Sequence, residues 1–87
     1  MSDYLEAVAS IGCVLCKHLG LGYTPAEVHH VESVRDEMSD YATVPLCQEH
    51  HRGATGVHGL RRRGFEMRYK LSDVDLLAMT AKEIWRR

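Results

Sequence analysis

Two short pairs of metal-binding side chains, Cys13-Val14-Leu15-Cys16 and Cys47-Gln48-Glu49-His50, constrain this chain more than any other feature. Each pair is spaced so that both side chains can turn onto one ion, and together they supply a Cys3His set. Zn2+ favours tetrahedral thiolate and imidazole coordination in closed structural sites, so four such ligands fill its shell and leave no position for a substrate. The set therefore predicts an ion that stabilises and does not catalyse. His18, two residues beyond Cys16, is an alternative fourth ligand in place of His50.

The length of the chain explains why such an ion would matter. A chain of 87 residues buries a smaller share of its surface than a larger domain does, and domains in this range often add disulfides, metals or partner subunits. Three cysteines cannot all pair within one chain, and Ser2-Asp3-Tyr4-Leu5-Glu6 lacks the basic and apolar runs of a secretory signal. A reducing cytoplasm is the expected setting, where cysteines near histidines more often bind metal than oxidise. No segment approaches the roughly 18 consecutive apolar residues of a membrane span.

The local signals predict one domain over residues 1–87 with short helices and strands. Ser2 can cap a helix from about Asp3 to Ser10, with Leu5, Val8 and Ala9 on one face and Gly12 as its end. The segment from Ala26 to Met38 carries both a capping-box pattern and a short valine-rich run, and the strand reading of Val28-His29-His30-Val31 is favoured. Thr43-Val44-Pro45-Leu46 reads as a second strand, its proline at an edge. Gly53-Ala54-Thr55-Gly56 interrupts the helix that begins near Glu49, and a clearer helix is expected from His58 to Lys70. Ser72 and the acids after it start a last helix to Arg87, with Leu76, Leu77, Met79, Ile84 and Trp85 expected in the core.

With His50 assigned to zinc, His29, His30, His51 and His58 remain as a second group. On a strand, His29 and His30 point to opposite sides, so one can bind a metal while the other activates water. Histidine titrates near neutrality and suits a general base, and neutral imidazole ligates divalent ions. Charge is uneven along the chain: acids dominate up to residue 49, whereas residues 50–70 hold Arg52, Arg61, Arg62, Arg63, Arg68 and Lys70 against Glu66. Such a block can place phosphates, although charge runs are more often a solvated helix face. A base, a cation site and basic residues together are what phosphodiester hydrolysis requires.

The stretch His29-His30-Val31, then Val44 to Gly53, then Gly56-Val57-His58-Gly59 closely resembles the recombination enhancement function (Ref) nucleases of phages and prophages, a branch of the HNH superfamily. The likeness runs from about Cys13 to Lys70 and includes the arginine-rich segment after His58. It implies an α+β, ββα-metal (treble-clef-like) fold with a structural zinc and flanking helices. It also implies His30 as general base, with His29, His51 and His58 holding one divalent ion such as Mg2+, and a product with a 5′-phosphate. Arg52 and Arg61 to Arg63 are then expected on DNA phosphates, and a recombinase filament is a possible partner. Many HNH proteins have a cysteine where His50 stands. The motif's middle asparagine is absent, and Ser39 or Asp40 occupies that region. The rival reading is a non-catalytic zinc module that binds nucleic acid or a protein partner; a second structural zinc at the histidine group is a third.

Overall fold

The computed structural model describes residues 3–86. Ser2 and Arg87, expected as the first cap and the end of the last helix, lie outside the described residues. The first helix, α1, spans Asp3–Ile11 and buries Val8 and Ile11. It ends where expected, at Gly12, whose φ of +85° favours glycine; a Cβ there would also meet the Tyr23 ring at 2.6 Å. A one-and-a-half-turn helix α2, Val14–His18, follows at once, and the Gly20–Ala26 stretch is without regular structure.

The ambiguous segment is a strand. β1, Glu27–His30, pairs antiparallel with β2, Thr43–Leu46, in the register Glu27 with Leu46, Val28 with Pro45, His29 with Val44 and His30 with Thr43. The sheet has only these two strands, so both are edges and Pro45 costs no ladder bond on its free side. A 3-10 turn at Ser39–Tyr41 closes the connection, and the Thr43 hydroxyl donates to the Asp40 carbonyl at 3.0 Å.

Three helices complete the molecule: α3 at Gln48–Arg52, α4 at Val57–Tyr69 and α5 at Asp73–Trp85. The start of α5 is a full capping box, with Ser72 accepting from the Asp75 amide and Asp75 accepting from the Ser72 amide. The expected helix after His58 is present but not continuous. Arg61, at φ 63° and ψ 173°, breaks it into a first turn and a longer second piece. Arginine propensity gives no hint of such a break, which arises because the first turn packs on the 53–56 loop while Phe65 and Tyr69 pack on the core.

The core lies between α1, α2, β2 and α5, with Val8, Leu15, Val44, Leu46 and Leu76 essentially sealed from solvent. Leu77, Met79 and Ile84 pack against it partly buried, as expected. Trp85 does not: it is 89 % exposed at the last turn of α5, beyond the reach of the core. Among the described residues, no helix is long and apolar enough to cross a membrane.

Candidate functional site

The two cysteine-containing pairs meet in the interior. Cys13 is the N-cap of α2, its Sγ accepting from the Cys16 amide at 3.3 Å, and Cys47 is the N-cap of α3 with His50 one turn later. Helix starts suit thiolates, because free amides and the helix dipole favour negative charge there. His50 Nδ1 lies 3.7 Å from Cys13 Sγ, 3.5 Å from Cys16 Sγ and 3.4 Å from Cys47 Sγ, and the sulfurs of Cys16 and Cys47 are 3.8 Å apart. A tetrahedron with ordinary Zn–S and Zn–N bonds has edges of about 3.8 Å between sulfurs and about 3.6 Å from sulfur to nitrogen. The four donors thus stand at the edges of a zinc tetrahedron and can hold that ion. All three cysteines are free and buried. Burial pushes the Cys13 thiol up to about 12 and lowers His50, so a cation is what would make four such donors compatible in one buried space. His18 is exposed and outside the cluster, which removes it as the fourth ligand.

The next residue along α3 builds the second cluster. Successive helical residues point about 100° apart, so with His50 turned into the cysteines, His51 faces β1 and α4. There its ring meets His29 from β1, centroids 5.2 Å apart, and His58 from the first turn of α4, 4.8 Å apart; His29 and His58 are separated by 5.4 Å. Each offers a ring nitrogen, all within 4.8 Å of one another. His29 is buried and lowered to about 4, first by desolvation and then by the neighbouring imidazoles. It is therefore neutral at physiological pH, with a lone pair free to ligate. His51 is half-buried and His58 exposed, so the cluster opens on one side.

The loop between His51 and His58 is folded back tightly enough to bring them together. The Glu49 carboxylate accepts from the Thr55 amide at 3.0 Å and its hydroxyl at 2.7 Å, and the Tyr69 hydroxyl donates to the Thr55 carbonyl at 2.6 Å. The backbone at Gly59 lies so close to Gly53 that a Cβ would sit 2.2 Å from its carbonyl oxygen. The glycines of this loop thus serve close approach of backbone to backbone.

His30 is not part of the cluster. As the alternation along β1 requires, it projects to the other side, exposed, with Nε2 3.0 Å from Asp40 Oδ1. Of the two residues expected in the missing asparagine's region, Asp40 is the one in contact. The arginines are less uniform than their run suggests. Arg52 is held in a fork by Glu27, Nε donating to Oε1 at 3.0 Å and Nη2 to Oε2. Arg62 pairs with Glu66 at 3.4 Å and lines a cleft of about 120 Å3 with His29, His58, Glu32 and Asp73. Arg61 lies with His58 and Arg62 at an adjoining opening, and Arg63 is exposed.

Sequence reasoning missed Glu27 and Glu49. Glu27 accepts from His51 Nδ1 at 2.9 Å as well as from Arg52, and these two donors hold its carboxyl below the usual range, the arginine first. The signal was present: Glu27 is two residues before His29 on a strand and so shares its face. A family model described as recombination enhancement, RecA-dependent nuclease matches residues 2–84. No curated protein and no solved structure matches the chain.

Proposed function

The chain belongs to the recombination enhancement, RecA-dependent nuclease family, and we propose that it is a single-domain, metal-dependent DNA endonuclease of the HNH type. The observation that carries this reading is the convergence of His29, His51 and His58 from three elements beside a separate, closed Cys3His cluster. Three neutral ligands with an open side are the pattern of a catalytic ion; four buried ones are that of a structural zinc. A divalent ion such as Mg2+ at the three histidines supplies positive charge for the phosphate and leaving oxygen when bound.

The other roles fall to the chain's own side chains. Asp40, as a carboxylate, only accepts, so it fixes the proton of neutral His30 on Nε2 and leaves Nδ1 as the basic atom. His30 Nδ1 takes the proton from the attacking water, and Asp40 stabilises the imidazolium that results. Arg52 and Arg61 to Arg63 contact the DNA backbone and set its position without reading sequence. The family description ties activity to RecA, so a recombinase filament on DNA is the proposed partner. Three reduced thiols fit a cytoplasmic setting.

Cleavage of single- and double-stranded DNA with Mg2+ or Mn2+, with and without the recombinase filament, tests the reading. His30→Ala should lower the rate by about 10²- to 10⁴-fold, the usual worth of a general base. Cleavage by this variant at the wild-type rate would sink the assignment. DNA binding without any metal-dependent cleavage would favour the non-catalytic zinc module instead.

A further inference from the structure

Glu27 sits where β1 begins and touches two groups of different kinds, the His51 ring and the Arg52 guanidinium. Both carboxylate oxygens are engaged on α3, which leaves Glu27 outside the group of side chains able to ligate at the histidine cluster. Its effect on His51 follows from hydrogen-bond chemistry. An ionised carboxylate has no proton to give, so the 2.9 Å contact requires a proton on His51 Nδ1. A neutral ring with its proton there has a bare Nε2, and this is the only nitrogen left to face a metal. Which ring nitrogen ligates is commonly set by what the other one bonds. Free imidazole side chains tend toward the opposite tautomer, with Nε2 protonated and unable to ligate.

The same carboxylate holds Arg52. Its Nε and Nη2 are taken up by the fork, and the rest of the guanidinium remains accessible on a side chain 58 % exposed. Glu27 thus fixes a ligand's tautomer and a basic group's direction from a single point.

Resting on the function proposed above, we infer that Glu27 is a positioning residue: it locks His51 with Nε2 bare for a divalent ion and aims Arg52 at the phosphate beside it. Glu27 touches neither the ion nor the substrate. Its loss therefore acts through ion affinity and DNA binding, with the zinc cluster intact.

Mn2+ binding to the zinc-loaded protein, followed by electron paramagnetic resonance, tests this without any turnover. Glu27→Ala should bind Mn2+ about 10- to 100-fold more weakly, the usual effect of removing the partner of a ligating histidine. Glu27→Gln keeps an acceptor for Nδ1–H and should fall between it and wild type. Arg52→Ala should leave Mn2+ affinity within about twofold of wild type while weakening DNA binding and its salt dependence. Long-range proton–nitrogen spectra of the histidine rings should show His51 protonated on Nδ1 in the wild type and shifted toward Nε2 in Glu27→Ala. Zinc content and thermal melting confirm that each variant is folded.

The outcomes separate. If the wild type binds Mn2+ and His51→Ala abolishes this while Glu27→Ala does not weaken it, the inference falls and the proposed function stands. A wild-type His51 protonated on Nε2, or an Arg52→Ala loss as large as that of Glu27→Ala, likewise overturns the route through His51. If the wild type binds no Mn2+ at the histidines, both fall together.

Discussion

Two groups of metal-binding side chains stand back to back on the five-residue helix α3, alike in chemistry and opposite in design. His50 joins Cys13, Cys16 and Cys47 in a set with every member buried; His51 joins His29 and His58 in a set graded from buried to exposed. The first contributes four donors and is sealed by the core. The second contributes three and opens toward a cleft lined by Arg62. The difference teaches that donor identity alone does not divide support from reaction. Coordination number and access do, and neighbouring residues on one helix suffice to separate them.

If the buried set is the support, removing it should have the largest effect of any change in the molecule. A small zinc module gains on the order of 10 kcal/mol from its ion, comparable to or larger than the whole net stability of a domain. Cys16→Ser, or stripping the ion with a strong chelator, should therefore unfold the chain, read as loss of helical circular dichroism together with zinc. A chelated protein that keeps its melting transition would break the comparison at its first half.

The open set should behave in the opposite way. His58 is exposed, and substitutions at such positions usually change stability by less than about 0.5 kcal/mol. His58→Ala should keep its zinc and its melting temperature but lose measurable Mn2+ binding and metal-dependent cleavage. Should the same substitution release zinc or unfold the protein, the histidines would be a second structural site and the contrast would disappear.

A finer division lies within the open side, between ligands and the base. Asp40→Ala leaves His30 without its 3.0 Å partner, and kcat should fall by about 10-fold, a part of the full contribution of a general base. KM and Mn2+ affinity should stay put, since neither substrate contacts nor ligands are altered. Asp40→Asn retains an acceptor oxygen and should recover much of the rate. An unchanged kcat in Asp40→Ala would mean that the contact holds the turn at Ser39–Tyr41 and nothing more.

Much of this architecture was legible from residue spacing because metal ligands and glycines leave strong local marks. The two ligand pairs, both strands, the glycine end of α1 and the Ser72 start of α5 all depend on short-range patterns. What escaped depends on contacts distant in sequence. Glu27 and His51 are 24 positions apart, and only the pairing of β1 beneath α3 brings them to 2.9 Å. Trp85 reads as core by its apolar character, but its place in the last turn of α5 leaves it nothing to pack against. Arg52 reads as a free cation, and its fork with Glu27 is again a long-range contact.

Arg61 offers the smallest effect and the most direct link between strain and site. Its φ of 63° and ψ of 173° fall in a region nearly reserved for glycine. A non-glycine residue held there costs on the order of 1–3 kcal/mol, and glycine would relieve that cost while gaining unfolded-chain entropy of about 0.4–1 kcal/mol. The difference predicts that Arg61→Gly stabilises the chain by about 1 kcal/mol, or roughly 4–8 °C in Tm for a domain of this size. It should also remove one cationic contact at the opening it shares with His58, so DNA binding weakens and its salt slope falls by about one. Stability and binding then move in opposite directions, which a residue kept only for packing would not do. If Arg61→Gly melts lower than wild type, the backbone at this kink is not strained; if it melts higher with DNA binding unchanged, the strain is real but Arg61 plays no part in holding DNA.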